Sequence, residues 1–206
     1  DMLLDHCTNP WLRVDGIEMD HEGILSEAMH LLDTACFTYH RPQSAGWMSL
    51  CIHGISTVHT NCADDYGLPD DYEETDSHWT DIAKFCPKTV DFMENHLNYE
   101  DYTRVRFMVL LPGGWIGPHT DKDRQGFGAT NIAVNNPDGC ALVMEDWGTM
   151  PFEPGAIMKI NTAYNHSVWN RSNTPRIHMI VDGGMGDDFK DKCVESYKRR
   201  GGMLNI

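Results

Sequence analysis

A histidine and an aspartate one residue apart are the first candidates for chemistry in this 206-residue chain. His119 and Asp121 follow the Pro-Gly-Gly turn of "LLPGGWIGPHTD". An extended backbone places side chains at i and i+2 on the same side, so both can face one metal ion. Two polar residues on an exposed loop would have the same local sequence. Whether these residues form a metal site therefore depends on which other residues of the chain lie close to them in the fold.

His166 is the candidate for a third ligand, because it opens the strand-like segment "HSVWN". Two neutral imidazoles and one carboxylate on one face of an octahedron form the ligand set of non-haem iron, with the other positions open. Arg176 opens the next strand-like segment, and a hairpin between the two would bring it close to His166. Its guanidinium can bind a carboxylate through two parallel hydrogen bonds. The order, spacing and strand context of these residues favour a metal site with an anion anchor.

The second half of the chain has the pattern of a β-protein. The predicted strands are 104–111, 130–135, 140–145, 156–161, 166–170 and 176–182. Short strands separated by Gly and Pro turns indicate an antiparallel sandwich or barrel. Alternation along the first of these strands places Arg104, Arg106 and Met108 on one face.

The flanking regions carry helical periodicity. Helices are predicted over 21–35, 87–97 and 187–200, and a strand is predicted over 46–54. The predicted buried stripes are Ile24, Leu25, Met29 and Leu32 in the first helix, Val90, Met93 and Leu97 in the second, and Phe189, Cys193 and Tyr197 in the third. The isolated histidines His53 and His178 are interpreted as hydrogen-bonded structural residues.

Composition excludes some classes of protein. The formal net charge of −15 repels nucleic acids and anionic membrane surfaces. Seven scattered cysteines without a CxxC pair suit a reducing cytoplasm, and neither a signal peptide nor a membrane span is indicated. Residues 64–81 contain eight acidic residues and no Lys or Arg. They are either a solvated loop or a flap that selects an amine-bearing or cationic substrate.

Two stretches of the chain resemble a known superfamily. "RVRFMVLLPGGWIGPHTD" and "NHSVWNRSNTPRIHMIVD" resemble the core of the Fe(II)/2-oxoglutarate oxygenases, and within these the aspartyl/asparaginyl β-hydroxylase family. The resemblance implies a mainly β fold, the double-stranded β-helix or cupin-like jelly roll, with flanking N-terminal and C-terminal helices. It implies a single oxygenase domain over 1–206, with N-terminal support at 1–102, the core at 103–182 and a C-terminal helix at 183–206.

The resemblance also implies roles for individual residues. His119, Asp121 and His166 would be the catalytic iron ligands, and Arg176 would pair with the distal carboxylate of 2-oxoglutarate. Candidates to accept hydrogen bonds from the two histidines, and so to fix their tautomers, are Asn161, Thr162 and Asn165.

One position departs from the family pattern. Asn131 stands where the animal enzyme has a His that helps hold the 1-carboxylate of 2-oxoglutarate. An Asn amide still donates a hydrogen bond to a carboxylate, although it brings no charge. Arg106 is the candidate to supply the missing charge.

The activity implied by the resemblance is hydroxylation of a C–H bond with Fe(II), 2-oxoglutarate and O2. The substrate would be an aspartyl or asparaginyl residue, a free amino acid or a similar small amine, and the sequence does not choose among these. Two other classes remain open. The same ligands would serve a non-catalytic cupin-like protein that binds zinc or another inert metal, and the β-region would also serve as a structural domain without metal.

Overall fold

A computed structural model describes residues 4, 7–35, 37–41, 44–60, 77–121 and 126–200. Within these residues eleven strands form one curled antiparallel sheet flanked by helices, which confirms the mainly β jelly roll. The strands are β1 (Trp11–Val14), β2 (Thr38–Tyr39), β3 (Ala45–Gly54), β4 (His78–Trp79), β5 (Tyr99–His119), β6 (Thr130–Ala133), β7 (Cys140–Met144), β8 (Gly148–Thr149), β9 (Ile157–Ile160), β10 (His166–Asn170) and β11 (Arg176–Met185). The helices are α1 (His21–Thr34), α2 (Pro87–Asn95), α3 (Asp187–Arg199) and a 3-10 helix (Asp81–Phe85).

Strand β5 joins the two layers of the jelly roll. Its first half pairs with β3 and β11, and its second half pairs with β10. Between the halves Gly113 has φ +76°, and a Cβ on Gly114 would lie 2.7 Å from the carbonyl oxygen of Leu111. Only glycine fits these two positions without strain. The strand predicted at 104–111 therefore continues through the Pro-Gly-Gly segment to His119.

The large layer has the strand order β1-β9-β6-β11-β5, with β3 added beside β5, and the small layer has the order β5-β10-β7-β8. An outer core lies between the large layer and the helices. An inner core lies between the two layers and includes Leu110, Ile116, Leu142, Met144, Met158 and Val168. Each strand of the large layer therefore directs alternate side chains into the outer core and into the interior.

The helices pack on the large layer with partly different faces from those predicted. In α1 the buried residues are Ile24, Ala28 and Leu31, and the other predicted members of the stripe are half-buried at its edge. The small side chain of Ala28 therefore takes a central place that a pattern of large apolar residues does not reveal. In α3, Phe189 and Cys193 are buried as predicted.

The N-terminal half contributes strands that the sequence pattern did not predict. Strand β1 pairs with β9 at the edge of the large layer, and the two-residue strands β2 and β4 pair with β3. Strands this short show no periodicity. Residues 64–76 of the acidic segment, predicted as either a solvated loop or a flap, lie outside the described residues. In the part of the chain that the structure describes, the helices are too short or too polar to cross a membrane.

Candidate active site

The predicted site residues that lie on strands face the interior between the two layers. On β11, Ile177, Met179 and Val181 belong to the outer core, so the intervening Arg176 and His178 point inward. The same alternation turns other predicted residues toward the interior; these are Arg106 on β5, Asn131 on β6 and His166 on β10. The phase predicted for 104–111 is therefore confirmed.

His119 and His166 are brought together by strand pairing. They are register partners across β5 and β10, and their ring centroids lie 4.3 Å apart. His166 is buried, and burial lowers its pKa, with further lowering by His119 and opposing effects of the Tyr164 carbonyl and Asp121. A neutral imidazole is the form that binds a metal.

Backbone carbonyls fix the tautomers of both histidines. His119 Nδ1 donates to the carbonyl of Gly117 at 2.8 Å, and His166 Nδ1 donates to the carbonyl of Tyr164 at 2.9 Å. Each Nε2 therefore keeps its lone pair for an ion. The prediction that Asn161, Thr162 or Asn165 accepts these hydrogen bonds is wrong. Asn161 Oδ1 accepts from its neighbour Ala163, and the side-chain amide of Asn165 donates to Glu145.

Asp121 lies just past the end of β5, beside the loop that leads to His166. Its backbone N–H donates to the carbonyl of Thr162 at 2.9 Å, which ties the two segments together. Its carboxylate is near enough to His166 to favour the charged form of the ring. Among the described residues, however, no three His, Cys, Asp or Glu side chains already converge as a metal site. Asp121 as the third ligand stays a prediction.

Arg176 is a buried cation without a carboxylate partner in the described part of the chain. Its side chain is buried, and its Nε has no hydrogen-bond partner there. Burial lowers the pKa of the guanidinium to about 10, so it stays charged at neutral pH. Phe152 lies beneath it, 5.9 Å from the ring centroid to Cζ. A desolvated guanidinium with unused donors is suited to bind an anionic ligand.

Two buried asparagines, both missed from the sequence, hold the backbone around Arg176. Asn135 accepts from the N–H of Ile177 at 2.7 Å and donates to the carbonyl of Pro175 at 3.0 Å. Asn170 donates to the carbonyls of Leu110 and Thr174, both at 2.8 Å. The sequence did contain a signal for both asparagines, because each is a polar residue at an inward-facing position of a predicted strand.

His178 connects Arg176 to Asn131. Its Nδ1 lies 2.7 Å from Asn131 Oδ1 and 3.3 Å from Arg176 Nη2. Burial, with the nearby Arg176 charge, lowers the pKa of His178 well below its usual value. The structure therefore places a histidine that was interpreted as structural between two predicted cosubstrate ligands.

Arg106 has protein partners of its own. Its Nη2 donates to Asp182 at 2.7 Å and its Nη1 donates to the carbonyl of Thr60 at 2.6 Å. Arg104 Nε lies 3.6 Å from the same Asp182 carboxylate. A contact between Arg106 and 2-oxoglutarate stays a prediction, and we expect its contribution to binding to be small, because Nη1 and Nη2 already donate to protein groups and Nε is the nitrogen left unused among the described residues.

The prediction that the strands of His166 and Arg176 form a hairpin is wrong. Strand β10 pairs with β5 and β7 in the small layer, whereas β11 pairs with β5 and β6 in the large layer. The two strands adjoin opposite halves of β5, and the bend in β5 folds one layer over the other. His166 and Arg176 thus face a common interior from different layers.

Comparisons with known proteins show the family and the fold of the chain. A family model described as aspartyl/asparaginyl beta-hydroxylase matches residues 18–184. Among solved structures, the non-haem α-ketoglutarate-dependent epimerase SnoN from nogalamycin biosynthesis has a TM-score of 0.52 at 13% identity, covering 87% of this chain and 79% of that chain.

The prolyl hydroxylase of Trichoplax adhaerens, solved with a hypoxia inducible factor peptide fragment, has a TM-score of 0.50 at 13% identity and covers 95% of this chain and 91% of that chain. At such identities the likeness is one of fold. No curated protein sequence matches the chain. Because the family match covers most of its length, the chain belongs to the aspartyl/asparaginyl β-hydroxylase family and is an oxidoreductase of the hydroxylase type.

Proposed function

We propose that this protein is an Fe(II)- and 2-oxoglutarate-dependent dioxygenase that hydroxylates a C–H bond. The observation that carries the proposal is Arg176, a buried guanidinium without a carboxylate partner among the described residues. It faces the same interior as His119 and His166, whose Nε2 atoms are left free by their Nδ1 hydrogen bonds. A buried guanidinium without a carboxylate partner, close to two imidazoles that can bind a metal, is suited to a cosubstrate that carries a carboxylate and also chelates the metal.

His119, His166 and Asp121 would hold the iron. When bound, iron, 2-oxoglutarate and O2 supply the oxidation, in which 2-oxoglutarate is converted to succinate and CO2 while one oxygen atom enters the substrate C–H bond. The carbonyls of Gly117 and Tyr164 keep the two imidazoles in the tautomer that presents Nε2.

Arg176 would bind the distal carboxylate of 2-oxoglutarate and so orient its other end toward the iron. Asn135 and Asn170 hold the strand start that carries this guanidinium. The apolar inner core beside it, including Leu110 and Met158, excludes water from the interior. The side chains of this chain thus bind and orient the reactants, while the bound cofactors carry out the oxidation.

Charge and family membership support a proposal for the substrate class. An aspartyl or asparaginyl residue, a free amino acid or a similar small amine is proposed, in a peptide or as a small molecule. The eight acidic residues of 64–81 support an amine-bearing or cationic substrate, and the net charge of −15 speaks against nucleic acid or membrane partners. The free cysteines among the described residues, Cys7, Cys51, Cys86, Cys140 and Cys193, support a reducing cytoplasm.

Succinate release tests the proposal. Protein loaded with Fe(II) is given 2-oxoglutarate, O2 and a panel of amino acids and peptides, and succinate and hydroxylated product are measured together. We expect equal amounts of both with the right substrate. His166→Ala should abolish the reaction, whereas His96→Ala, which changes an exposed histidine at the end of α2, should leave it intact. Stoichiometric zinc that Fe(II) does not displace, with no succinate formed, would favour the cupin-like binding protein instead.

A further inference from the structure

We infer that His178 is a positioning residue for 2-oxoglutarate, which rests on the proposed function. Its Nδ1–H holds the side-chain oxygen of Asn131, so that the amide N–H of Asn131 is turned toward the same carboxylate that Arg176 binds. His178 would contact neither the iron nor the reacting carbon. Its effect passes through the orientation of Asn131 and reaches the distal carboxylate of the cosubstrate.

The hydrogen-bond distances assign the proton on His178. Nδ1 lies 2.7 Å from Asn131 Oδ1 and 3.3 Å from Arg176 Nη2. A guanidinium only donates hydrogen bonds, and a side-chain amide oxygen only accepts them, so Nδ1 cannot satisfy both neighbours. The shorter contact requires Nδ1–H to donate to Asn131. The N–H groups of Arg176 are then left for a ligand.

The orientation of Asn131 follows from that bond. With Oδ1 accepting from His178, the NH2 group projects from the other arm of the amide and presents only donors there. Arg176 and Asn131 contact the same ring nitrogen, so one carboxylate can reach both side chains. This differs from the role at the 1-carboxylate that the family resemblance suggested for Asn131.

Strand register explains how a residue on β11 reaches Asn131. On the inner face of adjacent strands, His178 lies opposite Ala133, while Asn131 lies opposite Ile180. His178 and Asn131 are therefore diagonal neighbours, within reach of a side chain as long as histidine. The small side chain of Ala133 leaves room for the ring, and Phe152 packs edge-on against it with centroids 4.6 Å apart.

Two further features separate His178 from a purely structural histidine. Its Nε2 is buried without a hydrogen-bond partner among the described residues, so the ring is held by bonds on one side only. The neutral ring also adds no charge beside Arg176, because its pKa lies well below the usual value. The cluster thus offers one positive charge and a set of directed donors, which matches a single carboxylate.

A matched pair of variants tests the inference. Leucine and asparagine have nearly the same shape, and only asparagine places a polar group where Nδ1 stands. Each variant is loaded with Fe(II) without oxygen and titrated with 2-oxoglutarate. We expect His178→Leu to weaken cosubstrate binding about tenfold, and His178→Asn to stay within about threefold of wild type, since an amide can replace the lost donor. Iron affinity and melting temperature should match between the two variants.

A second ligand shows which carboxylate is involved. 2-Oxopentanoate has the keto-acid of 2-oxoglutarate and a methyl group in place of the distal carboxylate. His178→Leu should not change its affinity. A weakening for both ligands would overturn the assignment to the distal carboxylate.

The histidine tautomer gives a test that needs no variant to fold and no cofactor to bind. Nitrogen-15 NMR of the metal-free wild type should show a neutral His178 with the proton on Nδ1. A proton on Nε2, or a charged ring, would overturn the inference. If wild type binds iron but not 2-oxoglutarate, the proposed function fails and this inference fails with it. If wild type binds 2-oxoglutarate and His178→Leu binds it equally well, the inference alone fails.

Discussion

Two buried arginines on neighbouring strands of the large layer face the same interior and differ in their partners. Arg106 on β5 is 8% exposed and Arg176 on β11 is 5% exposed. The Arg106 guanidinium holds the Asp182 carboxylate and the Thr60 carbonyl. Arg176 has no carboxylate partner among the described residues. Residue type and burial therefore do not separate a structural cation from an anion anchor, whereas the presence of a counter-ion does.

The difference has opposite consequences for folding and for binding. A buried charge lowers stability unless hydrogen bonds and an opposite charge compensate it. Asp182 compensates Arg106 in the folded protein. Arg176 would gain its compensation only from a bound carboxylate, so its desolvation weakens the unliganded fold and strengthens the binding of an anion.

The largest expected effect is a loss of 2-oxoglutarate affinity when Arg176 is replaced. Arg176→Met should weaken 2-oxoglutarate binding by about 100-fold or more, because a desolvated charge–carboxylate contact is lost. The melting temperature should not fall, since an uncompensated buried charge is removed at the same time. Isothermal titration with 2-oxoglutarate and thermal unfolding of the same preparations check both parts. Unchanged cosubstrate affinity would show that the assignment of Arg176 is wrong.

The matching change at Arg106 should act mainly on stability. Arg106→Met removes the guanidinium that lies 2.7 Å from the buried Asp182 carboxylate, whereas Arg104 at 3.6 Å stays, and the change should lower the free energy of unfolding by about 3 kcal/mol. Binding of 2-oxoglutarate should stay within a few-fold of wild type. Urea unfolding and the same titration measure the two quantities. A loss of affinity as large as that of Arg176→Met would instead support the predicted contact between Arg106 and the cosubstrate.

The surroundings of Arg106 should also make stability depend on pH. Burial, together with Arg106, Arg41 and Arg104, lowers the pKa of His40 to about 3. The unfolded chain takes up a proton near pH 6.5 and the folded chain does not, so stability falls as pH drops below about 6.5, by up to about 1.4 kcal/mol per pH unit. His40→Asn should reduce this slope in urea unfolding measured at pH 7 and pH 5. The same slope in both proteins would contradict the neutral state of buried His40.

The smallest expected effect is on 2-oxoglutarate binding and comes from Phe152, the aromatic residue next to Arg176. Phe152 packs against the guanidinium and against the His178 ring. Phe152→Leu should weaken 2-oxoglutarate binding by about two- to fivefold, because a cation–aromatic contact contributes roughly 0.5–1 kcal/mol. Iron binding should not change. An effect as large as that of Arg176→Met would mean that Phe152 positions the whole cluster.

The sequence predicted which of the candidate residues face the interior better than it predicted the groups that they contact. The His119, Asp121, His166 and Arg176 pattern and the inward phase of Arg106 could be read from spacing and alternation. The Arg106–Asp182 contact could not, because it depends on the register between β5 and β11. The groups that accept hydrogen bonds from the two histidines are backbone carbonyls, and these cannot be predicted from residue type because every residue has one.

Tertiary context also explains the residues that were overlooked. Asn135 and Asn170 look like ordinary strand residues until the turn before Arg176 is seen to need donors and acceptors. His178 looks like an isolated buried histidine until β6 brings Asn131 beside it. The Pro-Gly-Gly segment predicted a turn, and it forms a bend within β5 because both halves keep pairing with neighbouring strands.

Arg176 is proposed to anchor a cosubstrate that also binds iron at the two histidines. Oxygen-free protein with Fe(II) should develop a visible charge-transfer band when 2-oxoglutarate is added. The band should appear at similar concentrations in wild type and Arg106→Met, require far higher concentrations in Arg176→Met, and be absent in His166→Ala. Absence of the band in iron-loaded wild type, or an unchanged titration in Arg176→Met, would contradict the account.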